Sequence, residues 1–387
     1  MNVIHIIPKF TKSIWGGAES IIVDLVRNYP SEVKGEVWTC RTPHDAGSEV
    51  VDGIRVKRYP ALYLFGKHMI GLGKSGIPPE LLMDLLRLSQ RREPVLLHLH
   101  VHNILSGLSL ISARLKGIKT VLTLHSRVTH LKPTWRYFLS NIFPIKGATR
   151  VVAVSEVVAR EAREVTGRQD IEVIPNGIDL DWLRQGDRKR GREFLRVHQN
   201  MEAKILLFVG RLARVKNLEA LLKAFAILIK SMEGMCRLVL VGPEAEVGYK
   251  DALQETSLRL GVADHVIFVG AVPHRSTLLA DLYAASDVVA IPSRYEAQPV
   301  SILEAWGAGR AVVVADVGGA GAMVREWGAG FLWSPGGDSR DLAQILCQAL
   351  TDWSTEMEEK IRRAREYYSA QRMVKDYVAL YQAVVGD

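Results

Sequence analysis

Cysteine is scarce in this chain of 387 residues, with Cys40, Cys236 and Cys347 its three examples. An odd number at long spacing gives no disulfide framework and no zinc pattern, and reads as small buried hydrophobes in a reducing compartment. Long apolar runs are missing as well: no stretch approaches the ~20 consecutive apolar residues of a membrane span. Met1 to Phe10 holds His5, Pro8 and Lys9 within a short apolar run, which predicts a buried first strand rather than a signal peptide. The turn after that strand lacks a G-x-G-x-x-G fingerprint, which argues against a nicotinamide dehydrogenase. Low-complexity segments and short-period repeats are also absent. These absences place the chain among cytoplasmic globular proteins.

Hydrophobic residues make up 48% and charged residues 24%, a globular composition at a length that suits two domains. The formal net charge is +8, unevenly spread. Residues 1–187 carry 25 Lys and Arg against 18 Asp and Glu, whereas residues 188–387 carry 25 against 24. Between Arg87 and Arg150 stand eleven basic residues and one acidic residue, Glu93. Segregation of this kind predicts an anionic partner: phospholipid headgroups, a lipid diphosphate or nucleic acid. No nucleic-acid-binding motif or aromatic-basic stacking pattern accompanies it, so nucleic acid is set aside.

Short runs of Val, Ile and Leu alternate with helical patterns along the chain, as in strands buried on both faces of parallel sheets. Strands are predicted at 3–7, 36–39, 54–59, 95–100, 120–124, 150–154 and 172–174. A polar, basic stretch, Gln185 to Ala203, reads as an interdomain connection. Further strands are predicted at 205–209, 237–241, 266–269, 288–291 and 311–315. Two βα alternations in succession imply an α/β protein of two Rossmann-like, doubly wound domains facing each other, residues 1–187 and 188–369. Ligands of such sheets lie beyond the carboxyl ends of the strands.

The segment Pro292 to Val313, PSRYEAQPVSILEAWGAGRAVV, follows one of these strands. Glu296 falls in the loop. Pro299 suits the start of a helix, and Val300 and Ser301 then offer free N–H groups to an anion. Glu304 lies about one turn further and can turn toward the same cleft. Arg211 and Lys216 occupy the loop after 205–209, where two cations can neutralise a diphosphate. Gly16 and Gly17 follow the first strand, where they allow close approach of backbone to a ligand.

His98, His100 and His102 alternate at a strand end, and His125 closes another. No carboxylate or cysteine stands with them at ligand spacing, so no metal site is assigned. His125 is expected to look into the interdomain cleft, to hydrogen-bond a sugar hydroxyl or assist a departing proton. Asp179-Leu180-Asp181 matches a D-x-D metal signature, but it follows a strand and turn. Asp179 reads as a turn residue and Asp181 as a solvated one. Residues 133–143 place Trp135, Phe138, Leu139, Ile142 and Phe143 on one helical face, flanked by Lys132, Arg136 and Lys146. That face fits a core or an interfacial helix.

Taken in order, GGAE, LHLH, LHS, VSE, IPNGID, VGRLARVKN and PSRYEAQPVSILEAWGAGRAVV resemble the retaining GT-B glycosyltransferases of family 4, group 1. The resemblance spans nearly the whole chain. It implies an N-terminal acceptor domain, a C-terminal nucleotide-sugar domain with the active site between them, and a last helix, about 370–387, crossing back to the first domain. Arg211 and Lys216 would hold the donor diphosphate, with Val300 and Ser301 at the helix start, and Glu304 the ribose hydroxyls. Glu296 and His125 would contact the transferred sugar, and Gly16 and Gly17 the donor phosphate or the acceptor. The implied reaction moves a hexose-type sugar from a nucleotide-diphosphate donor to an acceptor hydroxyl without cofactor or metal. The basic segment Arg87 to Arg150 motivates a further expectation, an acceptor that is lipid-linked or a polysaccharide of envelope glycan assembly, with the enzyme at an anionic inner-membrane face. Two departures stand out. The family often has Glu-Gly-Phe-Gly where this chain has Glu296-Ala297-Gln298-Pro299, so phosphate contacts start at Val300. It also often has a glutamate near Ala320-Gly321-Ala322, and nothing is assigned there. An epimerase or phosphorylase on the same fold, or a non-catalytic nucleotide- or membrane-binding subunit, remain the alternatives.

Overall fold

The computed structural model describes residues 1–11, 16–41, 47–62, 77–88, 93–128, 137–197 and 203–386. The chain divides into two compact units, Met1–Gly177 with Ala370–Asp387, and Ile178–Ser369.

Among the described residues, the first unit is built on eight strands: β1 (Asn2–Ile7), β2 (Lys34–Cys40), β3 (Ser48–Val51), β4 (Ile54–Tyr59), β5 (Val95–Leu99), β6 (Lys119–Leu124), β7 (Arg150–Ala153) and β8 (Ile171–Val173). Their order is β3-β4-β2-β1-β5-β6-β7-β8. All pairings are parallel except β3 with β4. Strand order reverses between β1 and β5, which makes their carboxyl ends the switch point of this sheet. Val3, Ile6, Leu96, Leu97, Val121 and Leu122 are fully buried, as strands covered on both faces require. The C-terminal helix Ala370–Gly386 belongs to this unit and packs on β6 and the helix Gly17–Arg27.

The second unit has six strands, all parallel: β9 (Lys204–Val209), β10 (Cys236–Val241), β11 (Val266–Gly270), β12 (Val288–Ile291), β13 (Ala311–Ala315) and β14 (Gly330–Trp333). The order β11-β10-β9-β12-β13-β14 reverses between β9 and β12.

The predicted boundary and linker are corrected by these units. Residues 178–187 belong to the second unit, because Leu180 and Leu183 pack against Gly307 and Trp182 against His274 and Tyr283. Within the expected linker, Arg188–Phe194 is a helix. Its Arg190 forks onto Asp281 at 2.9 and 2.7 Å, Arg188 reaches Asp287 at 2.9 Å, and Arg192 is fully buried. The basic residues that suggested an interdomain connection are the staples of a packed helix, and Gly191 lets it sit against the Asp281 carbonyl. Strands β3 and β14 and the helix Gly318–Trp327, which covers Ala320-Gly321-Ala322, were not expected. Of the predicted aromatic helix, Lys132, Trp135 and Arg136 lie outside the described residues. The described part is a π-helical turn, Phe138–Ile142, in which Phe138 is half exposed, followed by Phe143–Gly147. Among the described residues, no helix is long and apolar enough to cross a membrane.

Candidate active site

In the second unit the candidate residues gather at the carboxyl ends of β9 and β12, the switch point where ligands of such sheets bind. The loop after β9 is held by backbone bonds on both sides. The Leu212 N–H donates to the Pro243 carbonyl (2.8 Å), and the Arg294 N–H donates to the Val215 carbonyl (2.8 Å). The second bond ties the β9 loop to the β12 loop. A short turn, Arg214–Lys216, ends at Asn217 with φ 55°, and the helix Leu218–Ser231 begins there.

That geometry brings Lys216 to Glu296, with Nζ 2.5 Å from Oε1 and both side chains mostly buried. The Ser293 hydroxyl donates to the same oxygen at 2.6 Å. The Glu296 carbonyl accepts the Gly319 N–H at 2.7 Å, at a place where a Cβ on Gly318 (φ +50°) would strike that carbonyl. Only glycine accommodates both the left-handed backbone and the close approach. Arg211 stands exposed on the β9 loop, and among the described residues it makes no ion pair or side-chain hydrogen bond.

Pro299 caps the helix Val300–Gly307 with extended backbone and no side-chain hydrogen bond. The N–H groups of Val300 and Ser301 precede the first intrahelical bond and point out of the helix start. One turn on, Glu304 is buried. The Tyr283 hydroxyl donates to its Oε2 at 2.6 Å, and His274 Nε2 lies 3.1 Å from its Oε1. Burial, then Glu304, raises the Tyr283 hydroxyl far above the usual phenol range, so it serves as a donor. Burial pushes Arg275 down to about 10, with Glu304 opposing. Asp179 lies 3.5 Å from Arg275 and accepts the Asp181 N–H at 3.0 Å, while Asp181 is exposed and pairs with Arg184.

The first unit holds the other candidates. Gly16 and Gly17 begin the helix Gly17–Arg27 after β1. His125 follows β6, half-buried, with Nε2 3.1 Å from His100 Nδ1. Burial and His102 lower His125 to about 4. Sequence reasoning missed Ser293, His274 and Tyr283, which orient the two glutamates. It also missed His5 as a neighbour of His100. Ser293 stands in the motif itself, three residues before Glu296, and was passed over; His274, Tyr283 and His5 sit in no motif.

Arg211 and Lys216 on the β9 loop, the open start of Val300–Gly307 and two oriented carboxylates stand at the switch point of a parallel sheet, the position where such sheets bind their ligands. The family described as Glycosyl transferases group 1 matches residues 191–367, and Glycosyltransferase Family 4 matches residues 15–182. A D-inositol 3-phosphate glycosyltransferase of Rhodococcus erythropolis is 32% identical over 326 residues, covering 78% of this chain and 71% of that protein. One from Kribbella flavida is 30% identical over 365 residues, covering 88% and 84%. The crystal structure of Anabaena Alr3699/HepE in complex with UDP and glucose superposes with a TM-score of 0.76 at 20% identity, covering 99% of this chain and 100% of that one. The chain belongs to the group 1 glycosyltransferases of family 4, has their GT-B fold, and is a glycosyltransferase.

Proposed function

We propose that the chain moves a hexose-type sugar from a nucleotide-diphosphate donor to an acceptor hydroxyl, with retention of anomeric configuration and without a metal ion. The observation that carries this is the set Arg211, Lys216 and the open start of Val300–Gly307 around the β9/β12 switch point. Negative charge develops on the leaving diphosphate, and donors preorganised for it can each be worth ~3–4 kcal/mol in the transition state. Glu304, oriented by Tyr283 and His274, suits the ribose hydroxyls. Glu296, held by Lys216 and Ser293, suits the transferred sugar together with His125, and Gly16 and Gly17 suit a close backbone approach to phosphate or acceptor.

The acceptor is read as lipid-linked or a polysaccharide of the cell envelope, on the strength of the basic segment Arg87 to Arg150. The same charge supports a location at an anionic inner-membrane face, each nearby cation contributing ~1 kcal/mol. The names of the relatives favour a second acceptor, a phosphorylated cyclitol, which is also an anion. The test is an assay of UDP-, GDP- and ADP-sugars with each acceptor class, with and without EDTA. Acceptor-dependent release of one nucleoside diphosphate that survives EDTA, with an anomeric proton coupling matching the donor, is the expected result. Release that needs a divalent cation, or an inverted product, would overturn it.

A further inference from the structure

A single file of polar side chains crosses the first unit behind His125. His125 Nε2 meets His100 Nδ1 at 3.1 Å, and His100 Nε2 meets His5 Nδ1 at 2.8 Å. His5 Nε2 meets the Tyr29 hydroxyl at 3.0 Å, which meets the Tyr381 hydroxyl at 3.1 Å. Tyr381 meets His98 Nδ1 at 2.7 Å, His98 Nε2 meets Thr123 Oγ1 at 2.7 Å, and Thr123 meets the Tyr377 hydroxyl at 2.9 Å. His5, His98, His100, Thr123, Tyr377 and Tyr381 are buried.

Proton counting fixes the direction of this file. Burial lowers His5 to about 3 and holds His98 and His100 well below the usual imidazole range, so the rings are neutral. A neutral imidazole that accepts at one nitrogen donates at the other, and a buried hydroxyl that accepted from both its neighbours would leave its own hydrogen without an acceptor. Direction is therefore handed on from group to group. Among the described residues, the Tyr377 hydroxyl makes its side-chain bond to Thr123 alone. Were the file to run toward Tyr377, that hydroxyl's hydrogen would be buried without an acceptor, an arrangement proteins avoid. Run outward, every group is satisfied: Tyr377 donates to Thr123, Thr123 to His98, His98 to Tyr381, Tyr381 to Tyr29, Tyr29 to His5, His5 to His100, and His100 to His125 Nε2.

We propose that this file, with His100 as the positioning residue, fixes His125 as the Nδ1–H tautomer, a hydrogen-bond donor to a sugar oxygen rather than a proton acceptor. The proposal rests on the reading that His125 faces the transferred sugar. It also gives the helix Ala370–Gly386 a task, since Tyr377 and Tyr381 supply the far half of the file. His5, His98 and His100 offer nitrogens within 4.8 Å of one another, the spacing of a metal cluster, but the file engages both nitrogens of each ring.

The test is a long-range nitrogen–proton correlation spectrum of the full chain labelled with ¹⁵N-histidine, at pH 7 in EDTA, with His125 assigned from its loss in His125→Asn. The expected pattern is Nδ1–H. His100→Phe, which keeps the ring's bulk, is expected to release His125 into a mixture with Nε2–H and to lower kcat about fivefold. Tyr29→Phe cuts the file at a half-buried residue, is expected to release His125 in the same way, and serves if the first variant does not fold. An Nε2–H or doubly protonated His125 in the unaltered chain, an unchanged tautomer in both variants, or one zinc per chain surviving EDTA would overturn the proposal. Full transferase activity in His125→Asn would count against the sugar-contact reading, while the spectrum judges the tautomer independently of activity.

Discussion

Lys216 Nζ lies 2.5 Å from Glu296 Oε1, across 80 positions of sequence, and joins the loop after β9 to the loop after β12. The pair keeps a cation and a carboxylate poised at one switch point. Lys216→Met should lower kcat about 100-fold, as loss of one preorganised donor does, and leave Glu296 without its counter-charge. Steady-state kinetics with a matched thermal melt check this. A turnover within twofold of the unaltered chain would remove Lys216 from the site.

Arg211 is exposed and has no side-chain partner among the described residues, so its removal disturbs no packing. Arg211→Ala should cut turnover about 100-fold or more with an unchanged circular dichroism spectrum. Near-native turnover would show that the donor diphosphate is held elsewhere.

Tyr283→Phe deletes the hydroxyl that donates to Glu304 Oε2 at 2.6 Å and keeps the ring. If Glu304 binds the ribose in ground and transition states alike, KM for the donor should rise about fivefold with kcat little changed. An equal fall in kcat at constant KM would instead assign Glu304 to the chemical step.

The buried histidines make stability depend on acid. His5 is lowered to about 3 and His125 to about 4 from an ordinary value of 6.5. The unfolded chain therefore binds more protons than the folded one between about pH 6.5 and those values. The stabilising contribution is complete above pH 6.5 and is lost as pH falls through that window. Melting temperature should be flat from pH 8 to 7 and decline steadily below 6.5. A flat profile down to pH 4 would mean that the rings are charged in the fold.

Arg190 donates twice to the buried Asp281 carboxylate, at 2.9 and 2.7 Å. Arg190→Ala leaves that carboxylate with the Asp187 N–H. Denaturant unfolding should show a lowered midpoint with an unchanged slope, whereas a flexible linker would show no shift.

Much of this architecture was legible along the chain. Strands such as Ile54–Tyr59, Val288–Ile291 and Ala311–Ala315 are runs of apolar residues because both faces are covered, and that pattern is local. Ser48–Val51 escaped notice although Asp52-Gly53, with φ 49° and 80°, is the turn dipeptide of a tight hairpin. Gly330–Trp333 escaped because a short run opening on glycine resembles a loop.

The sequence by itself determined where Arg211, Lys216, Glu296 and Glu304 stand, since each follows a recognisable strand. It did not show what holds them. Ser293 reaches Glu296 within one loop, but His274 and Tyr283 reach Glu304 only once the fold brings the helix Thr277–Ala285 to the helix Val300–Gly307. The basic stretch after Gln185 read as an interdomain connection because it is polar and basic, and it became a packed helix because Asp281 and Asp287 lie far along the chain to receive it. Most dependent on tertiary structure is the file behind His125, where His98 and Tyr381 meet across 283 positions. Periodicity records which face of an element is buried. Which buried polar groups meet there is set by strand order and by a helix contributed from the end of the chain, and no local pattern encodes either.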